Sequence, residues 1–228
     1  MKFGYIMSGS SHNVNYAFNA SFGTATWQEI KTITQRGMAD NLWSVGDTRT
    51  EDVSVVKFTY SNTNESSSSS KKDTLRIVGI NQDGNNTITV ASSSCLMKGP
   101  FDTGRVLSTL GSRAEYARTK IFSNDANNVM KTVNKSGLGD CKLFVPSITE
   151  LNVQNISGDG KPYSYYTSAS TRNFGEIAAT RTVRDNDNYY DGFVYGVSTS
   201  GSFTRISIDY SDTGFSVDLS FPVMFVVG

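Results

Sequence analysis

The sequence predicts an α+β fold in which two or three short helices pack on an antiparallel sheet and the C-terminal half is rich in strands. An amphipathic helical pattern occurs early, a second helical region spans residues 112–135, and alternating apolar segments recur late. Helices early and in the middle, followed by a late antiparallel sheet, are typical of α+β domains. The 228 residues are enough to bury a substantial core.

We expect residues 1–24 to form an N-terminal strand or arm and residues 25–228 to form a single domain. The loose alternation of apolar and polar residues before Phe22 predicts one or two short strands. The first helix is predicted to begin after Thr26, which can cap it together with Glu29, and to end at Gly37. Its apolar face comprises Trp27, Ile30 and Ile33.

The segment after this helix predicts strands that are joined by polar turns. Residues 51–60 read as a strand whose apolar pattern shifts by one position before Phe58, which indicates a bulge. The serine-rich residues 61–73 contain nothing to bury and predict a solvated hairpin loop. Strands are expected to resume at residues 74–80 and 87–91.

Residues 112–135 predict two helices that meet at a capped break around Ser123–Asp125. The segment from Cys141 should begin as a buried strand, and Ser147 with Glu150 can cap one helical turn. Further strand patterns cover residues 177–183, 192–197, 203–208 and 215–227. The last of these is apolar enough to end the chain within its own core.

The charge and composition exclude some classes of function. The 21 basic residues balance 21 acidic residues, so we expect neither nucleic-acid binding nor attraction to an anionic membrane. Ser, Thr, Asn and Gly supply much of the solvation, which is typical of extracellular or virion surfaces. The sequence has no signal-peptide pattern and no membrane-spanning run, so we expect synthesis in a cytoplasm and no membrane insertion.

Metal and catalytic motifs are sparse. Cys95, Cys141 and the single histidine His12 do not form a zinc pattern, and the two cysteines are expected to be buried free thiols, with a disulfide as the alternative. A carboxylate pair such as Glu150 and Asp159 could serve glycoside hydrolysis, but surface solvation of the acidic residues is the preferred interpretation. We therefore expect no enzyme and no cofactor.

Three fragments in a fixed order resemble one domain family of unassigned function, which recurs in phage tail-fibre and virion proteins, in prophages and in surface proteins of gut Firmicutes. They are Trp27-x-x-Ile30 with Gly37, Trp43, Gly46 and Asp47; Ile77-Val78-Gly79-Ile80-Asn81-Gln82-Asp83; and Lys142-Leu143-Phe144-Val145-Pro146-Ser147-x-x-Glu150.

The resemblance covers the chain from about Thr26 to its end and implies a C-type-lectin-like fold with Trp27 and Trp43 as core anchors. Family members carry a late tryptophan followed by Leu-x-Arg. Here the corresponding residues 174–181 lack the tryptophan, and Arg181 matches the arginine.

The resemblance implies a non-enzymatic phage virion surface protein, in a tail fibre, baseplate or capsid, that binds a host-surface glycan or protein. The alternative is a purely structural capsid decoration or tail component that contacts only other virion proteins. Either function implies a homo-oligomer or a place in a symmetric assembly. It also implies localisation in the virion after synthesis in the bacterial host.

A tyrosine-rich stretch is the predicted binding surface, because six of the chain's 11 tyrosines lie between Tyr163 and Tyr195 among small polar residues. The alternative is that these tyrosines only pack at the rim and between strands. The candidate ligand-binding residues are Tyr163, Tyr165, Tyr166, Arg181, Arg184, Asn186, Asn188, Tyr189 and Tyr190.

A weak calcium candidate lies within the same stretch. Asp185, Asp187 and Asp191 place hard oxygen ligands close together, although their spacing does not match an EF-hand loop. A plain solvated turn is the alternative.

Overall fold

The computed structural model describes residues 21–59, 65–100, 107–185, 191–209 and 219–228. Within these ranges it has an α+β fold with four α-helices and mostly antiparallel sheets. The helices are α1 (Trp27–Gln35), α2 (Ala39–Leu42), α3 (Leu107–Ile121) and α4 (Asn124–Val129). A short 3-10 helix covers Ala169–Arg172.

The largest sheet has six strands, which are β1 (Thr48–Phe58), β2 (Glu65–Ile80), β3 (Ile88–Gly99), β4 (Met130–Lys131), β7 (Leu143–Phe144) and β11 (Leu219–Val227). Five of them lie in the order β1-β2-β3-β11-β4, and β7 pairs with another part of β11. The pairings are antiparallel, except that β1 also pairs in parallel with β3 at Val56 and Lys57.

Two smaller antiparallel sheets complete the described fold. One is a hairpin of β5 (Val133–Lys135) and β6 (Gly139–Cys141). The other consists of β8 (Ala178–Asp185), β9 (Asp191–Val197) and β10 (Phe203–Asp209), in the order β10-β9-β8. The longest strands, β2 and β3, lie in the N-terminal half, so the chain is rich in strands in both halves.

The first helix has the predicted boundaries because its signals are local. The Thr26 side chain accepts a hydrogen bond from the Glu29 amide at 3.2 Å, and the Glu29 carboxylate accepts one from the Thr26 amide at 2.8 Å. Gly37 follows the helix with φ +67°, a conformation that a glycine adopts without strain. The capped break is also confirmed, because the Ser123 hydroxyl accepts a hydrogen bond from the Ala126 amide at 3.3 Å.

The core lies between the large sheet and the helices. Trp27 packs edge-on against Phe225 of β11, with ring centroids 5.6 Å apart. Trp27 and Trp43 are 4% and 2% exposed, so both are core residues as predicted. Phe22, at the end of the predicted arm, is also buried and contacts both tryptophans. The predicted strand and arm in residues 1–20 lie outside the described residues.

Several boundaries differ from the prediction, because β1 begins at Thr48, β3 continues to Gly99 and α3 begins at Leu107. Residues 65–73 belong to β2 and not to a loop, because their backbone pairs with β1 from Glu51 to Phe58 despite the polar side chains. A register shift between Lys57 and Phe58 confirms an irregularity near the predicted position, but the extra residue, Ser66, lies on β2 and not on β1. The second helical region stops at Val129, because Met130 and Lys131 pair with β11.

The cysteines Cys95 and Cys141 are both free and buried, which confirms the preferred prediction. Burial raises the pKa of the Cys141 thiol to about 11 and raises the pKa of Cys95 well above its usual value. No helix in the described ranges is both long and apolar enough to span a bilayer.

Candidate functional site

An open polar cleft of about 560 Å³ lies where two loop segments meet the end of a strand. The turn after β2 forms one wall, β5 and the residue after it form a second, and the loop at residues 158–163 forms a third. The lining residues are Asn81, Gln82, Asp83, Asn134, Lys135, Ser136, Glu150, Gly158, Gly160, Lys161, Tyr163 and Arg181.

The floor of this cleft is a buried ion cluster centred on Lys135. The Lys135 amine lies 2.6 Å from Asp83 Oδ1 and 3.0 Å from Glu150 Oε1, and it donates a hydrogen bond to the Tyr163 hydroxyl at 2.8 Å. The Lys135 side chain is only 7% exposed. All three of its N–H donors therefore have partners within the protein.

Arg181 forms the second half of the cluster. Its guanidinium donates to Glu150 Oε2 at 2.6 Å and to the carbonyl oxygens of Ser136, Val145 and Asp159. At 1% exposure, the side chain ties three separate segments together from the inside. Arg181 thus acts as an internal ion-pair donor.

Glu150 is placed by the capped helical turn that the sequence predicts. The Ser147 amide donates to Glu150 Oε2 and the Glu150 amide donates to Ser147 Oγ, both at 3.0 Å. This reciprocal pair confirms the predicted cap. The same carboxylate is only 2% exposed, so the prediction that it is a solvated surface acid is wrong. Its burial is stabilised by the charges of Lys135 and Arg181.

The loop at residues 158–163 is held against this cluster by side chains. Ser147 Oγ donates to the Asp159 carbonyl at 2.6 Å, and Thr182 Oγ1 donates to the Asp159 carboxylate at 2.6 Å. Gly160 has φ +109° and lies so close to Glu150 that a Cβ there would approach its Cγ to 3.0 Å. A glycine is therefore needed both for the backbone conformation and for the close contact.

The pKa values of the cluster reflect the pairing of its cations with its carboxylates. Burial alone would raise the pKa of Asp83, but the Lys135 charge and several hydrogen bonds outweigh it and hold the pKa below its usual value. Burial and the nearby carboxylates Glu150 and Asp83 raise the pKa of the Tyr163 hydroxyl. Burial opposes the Arg181 charge, yet Glu150 keeps the pKa of the guanidinium raised. Two cations thus balance two carboxylates.

The rim of the cleft is more exposed than its floor, and side-chain hydrogen bonds hold its segments together. Gln82 donates to the Pro162 carbonyl at 2.9 Å and accepts from the Ser164 amide at 3.0 Å, which joins two walls. Lys161 is exposed on the rim and forms no ion pair with any residue that the structure describes. It is therefore the charged group of the cleft best placed to meet a ligand.

The tyrosines at residues 163–166 do not form the exposed aromatic surface that the sequence suggests. Tyr163 and Tyr166 are 3% and 2% exposed, and Tyr165 is half-buried with Arg76 placed 4.8 Å from its ring centroid. Their backbone is tied down, because the Tyr163 amide donates to the Glu150 carbonyl and the Tyr165 amide to the Val78 carbonyl. These three tyrosines therefore pack within the protein, which agrees with the alternative interpretation that they are packing residues.

The cleft brings together two of the predicted ligand residues, Tyr163 and Arg181, but both belong to its floor. The remaining candidates stay predictions. These are Arg184, Asn186, Asn188, Tyr189 and Tyr190. Four of them lie outside the described residues, and for Arg184 the structure describes the backbone but not the side chain.

The calcium candidate is likewise untested, because Asp187 and the side chains of Asp185 and Asp191 lie outside the description. Elsewhere in the described part of the chain, no group of three His, Cys, Asp or Glu side chains is arranged to hold a metal ion.

Sequence reasoning missed Asp83 and Lys135 as site residues. Asp83 and Glu150 each lie in one of the fragments on which the family resemblance rests. Their place in these fragments was the one sequence feature that could have indicated a role in the site. Lys135 carries no such signal, since it lies at the end of a region predicted to be helical. Comparisons with family models, with curated proteins and with solved structures find no match for the chain.

Proposed function

We propose that this chain is a non-enzymatic phage virion surface protein with a C-type-lectin-like fold, and that its polar cleft binds a host-surface glycan. The observation that carries the proposal is the open cleft of about 560 Å³ with polar side chains on every wall. Small-molecule sites are typically clefts of about 300–1,000 Å³ with a few convergent polar groups. A lining this polar suits the hydroxyl groups of a saccharide better than an apolar ligand.

The cleft walls are preorganised for binding. Gln82 bridges two walls, and the loop at residues 158–163 is fixed to the floor through Asp159 and Gly160. Groups that are held in place before binding lose little freedom when a ligand arrives. The side chains of Asn81, Asn134, Ser136 and Lys161 can then offer hydrogen bonds from the rim.

The internal pairing of the floor favours binding of an external ligand over catalysis on that ligand. Each oxygen of Glu150 and of Asp83 already accepts at least one short hydrogen bond from a neighbouring side chain or amide. A general acid or base has to reach the reacting group of a substrate with a proton to give or to accept. Both carboxylates are instead ion-paired with Lys135 or Arg181.

The test measures binding of the purified protein to a panel of bacterial surface polysaccharides. Lys161→Ala removes the rim charge, and Ser136→Trp fills the cleft from an exposed position. Both should weaken binding at least about tenfold, which is a loss of about 1.4 kcal/mol. The matched controls Lys120→Ala and Ser70→Trp change exposed residues outside the cleft and should leave binding unchanged.

The same panel separates the cleft from the predicted tyrosine surface. If a double change of Tyr189 and Tyr190 to Ala abolishes binding while Ser136→Trp does not, the site lies at the tyrosines. If no polysaccharide on the panel, and no intact bacterial cell carrying one, binds the wild-type protein, receptor recognition is refuted.

A structural role in the virion is the second candidate, and exposed apolar residues favour it. Ile177 is 53% exposed and Phe203 is 39% exposed. They lie at the same end of the three-stranded sheet, because Ala178 and Phe203 both pair with Val197. If these residues contact other virion proteins or a second copy, Ile177→Ser with Phe203→Ser should lower the oligomeric mass measured by light scattering without changing polysaccharide binding.

A further inference from the structure

The ion cluster holds an amine and a carboxyl group in direct contact, as an amide-forming reaction between them would require. Lys135 Nζ lies 2.6 Å from Asp83 Oδ1, and the two residues are 52 positions apart in the chain. The lysine is 7% exposed and the aspartate 13%. Such fixed proximity replaces an encounter in solution by an intramolecular contact.

The second oxygen of Asp83 is held by two hydroxyl groups. Thr89 Oγ1 donates to Oδ2 at 2.5 Å and the Tyr163 hydroxyl donates to Oδ2 at 2.7 Å. Two donors on one carboxyl oxygen polarise its carbon and stabilise the negative charge that develops there when a nucleophile attacks. The oxygen nearest the lysine, Oδ1, is then the one placed to leave.

Glu150 provides the proton acceptor. Its Oε1 lies 3.0 Å from Lys135 Nζ, while its Oε2 is anchored by Arg181 at 2.6 Å and by the Ser147 amide at 3.0 Å. The carboxylate is therefore within hydrogen-bond reach of the amine and cannot rotate away from it. The Phe144 ring, with its centroid 4.3 Å from Nζ, supplies an apolar wall on another side.

We propose that Lys135 and Asp83 join in a self-formed amide crosslink, with Glu150 transferring protons and Thr89 and Tyr163 stabilising the oxyanion. A proton first passes from the lysine ammonium to Asp83, which gives a neutral amine and a carboxylic acid. Nζ then attacks Asp83 Cγ, and the Nζ–Cγ bond forms while Glu150 accepts a proton from the nitrogen. Glu150 returns that proton to Oδ1, the Cγ–Oδ1 bond breaks, and one water leaves.

The burial of the pair makes the first step accessible. The charged pair and its neutral form contain the same protons, and the low exposure of both side chains, 7% and 13%, reduces the solvation that favours the charged form in bulk water. The observed ion pairing keeps Asp83 ionised most of the time, so the reactive form is a minor one and we expect the reaction to proceed slowly after folding. The reaction occurs once per chain and involves no external substrate.

The crosslink would fix two walls of the cleft. It joins the turn after β2 to the end of β5, and so closes a long segment of chain that includes β3, α3 and α4. A covalent closure of this kind restricts the unfolded chain, as a disulfide does. Unlike a disulfide, an amide does not open under reducing conditions.

The intact mass of the purified wild-type protein tests the proposal directly. The crosslinked chain is lighter than its sequence by one water, and a protease digest contains a branched peptide in which Lys135 is joined to Asp83. Folded protein that keeps the full sequence mass after prolonged incubation overturns the proposal. This result does not affect the proposed binding function, which is read from polysaccharide binding.

One other reaction also removes a water and has to be distinguished. Asp83 precedes Gly84, and an Asp-Gly pair can dehydrate to a cyclic imide on its own backbone. Lys135→Arg abolishes the mass loss if the crosslink is the source, whereas an imide persists in this variant and opens with hydroxylamine. An imide without a branched peptide overturns the proposal.

Two further variants test the roles of the neighbours. Asp83→Ala removes the acceptor and should restore the full mass. Glu150→Gln keeps the shape of the side chain but cannot accept the proton, so the mass loss should slow at least about tenfold if Glu150 is the base. Mass loss at the wild-type rate in Glu150→Gln contradicts the role assigned to Glu150.

Discussion

Replacing Arg181 with Met should cost a large part of the protein's stability, because it leaves a buried charge and several carbonyl groups without their partner. Arg181 is 1% exposed, and its removal deprives Glu150 of an ion pair at 2.6 Å. It also removes the donors to the Ser136, Val145 and Asp159 carbonyls. Methionine preserves much of the apolar volume, so the measured loss is mainly electrostatic.

The magnitude follows from the burial of the pair. Breaking a buried ion pair by removing one partner typically costs about 3–5 kcal/mol, whereas an exposed pair contributes about 0–1 kcal/mol. In chains that keep Lys135 as a free amine, its charge 3.0 Å from Glu150 compensates part of the loss, and we expect the lower half of that range. Arg181→Lys keeps the charge but loses the forked geometry, and should cost about 1–3 kcal/mol.

Urea unfolding followed by circular dichroism measures these differences, with Arg205→Met as the matched control. Arg205 is exposed on β10, so its replacement should change the free energy of unfolding by less than about 0.5 kcal/mol. If Arg181→Met costs less than about 1 kcal/mol, the pair behaves as a surface pair and the structural role of Arg181 is refuted. Arg181 would then be open again as a ligand residue.

Two further predictions concern the thiols and the first helix. Cys95 and Cys141 should be unreactive towards iodoacetamide in the native protein at neutral pH, and both should react in urea. Alkylation of Cys141 should accelerate as the pH approaches the pKa of its thiol, about 11. Rapid alkylation of either thiol in the native protein at neutral pH would contradict their burial. Thr26→Ala removes the hydroxyl that caps the first helix and should lower the free energy of unfolding by about 1 kcal/mol. Thr26→Ser keeps the hydroxyl and should leave the free energy of unfolding nearly unchanged. Equal losses in the two variants would show that the hydroxyl does not stabilise the helix.

The elements that sequence predicts well are those whose signals are local. The Thr26 and Glu29 cap, the break at Ser123 and the Ser147–Glu150 turn each depend on residues three or four positions apart, and each forms as predicted. The β1–β2 hairpin shows the opposite case. The serine-rich start of β2 has no apolar pattern, and its strand conformation comes from backbone pairing with β1, which side-chain periodicity does not report.

The candidate site depends on contacts that no local pattern encodes. Lys135 meets Asp83 across 52 positions, and Arg181 meets Glu150 across 31. An acidic or basic residue in an isolated sequence is best interpreted as solvated, because charged residues are seldom fully buried unless they are paired. The partners become known only when the topology brings the turn after β2, the β5 hairpin and β8 together.

The position of the cluster beneath the cleft indicates that it orders the walls of the cleft more than it stabilises the fold. A buried ion pair can often be replaced by apolar residues of similar volume with little or no loss of stability. Arg181→Met combined with Glu150→Met should therefore lose less stability than the sum of the two single changes, with a coupling of about 1–3 kcal/mol. The loop at residues 158–163, however, would lose the guanidinium contact at the Asp159 carbonyl.

We accordingly expect amide hydrogen exchange in residues 158–163 of the double variant to accelerate while exchange in β3 and β11 stays slow. Binding of polysaccharide should weaken in parallel with the loss of protection in this loop. If the double variant loses as much stability as the two single variants together and its loop remains protected, each side chain supports the fold separately. The cluster would then have no particular role in ordering the cleft.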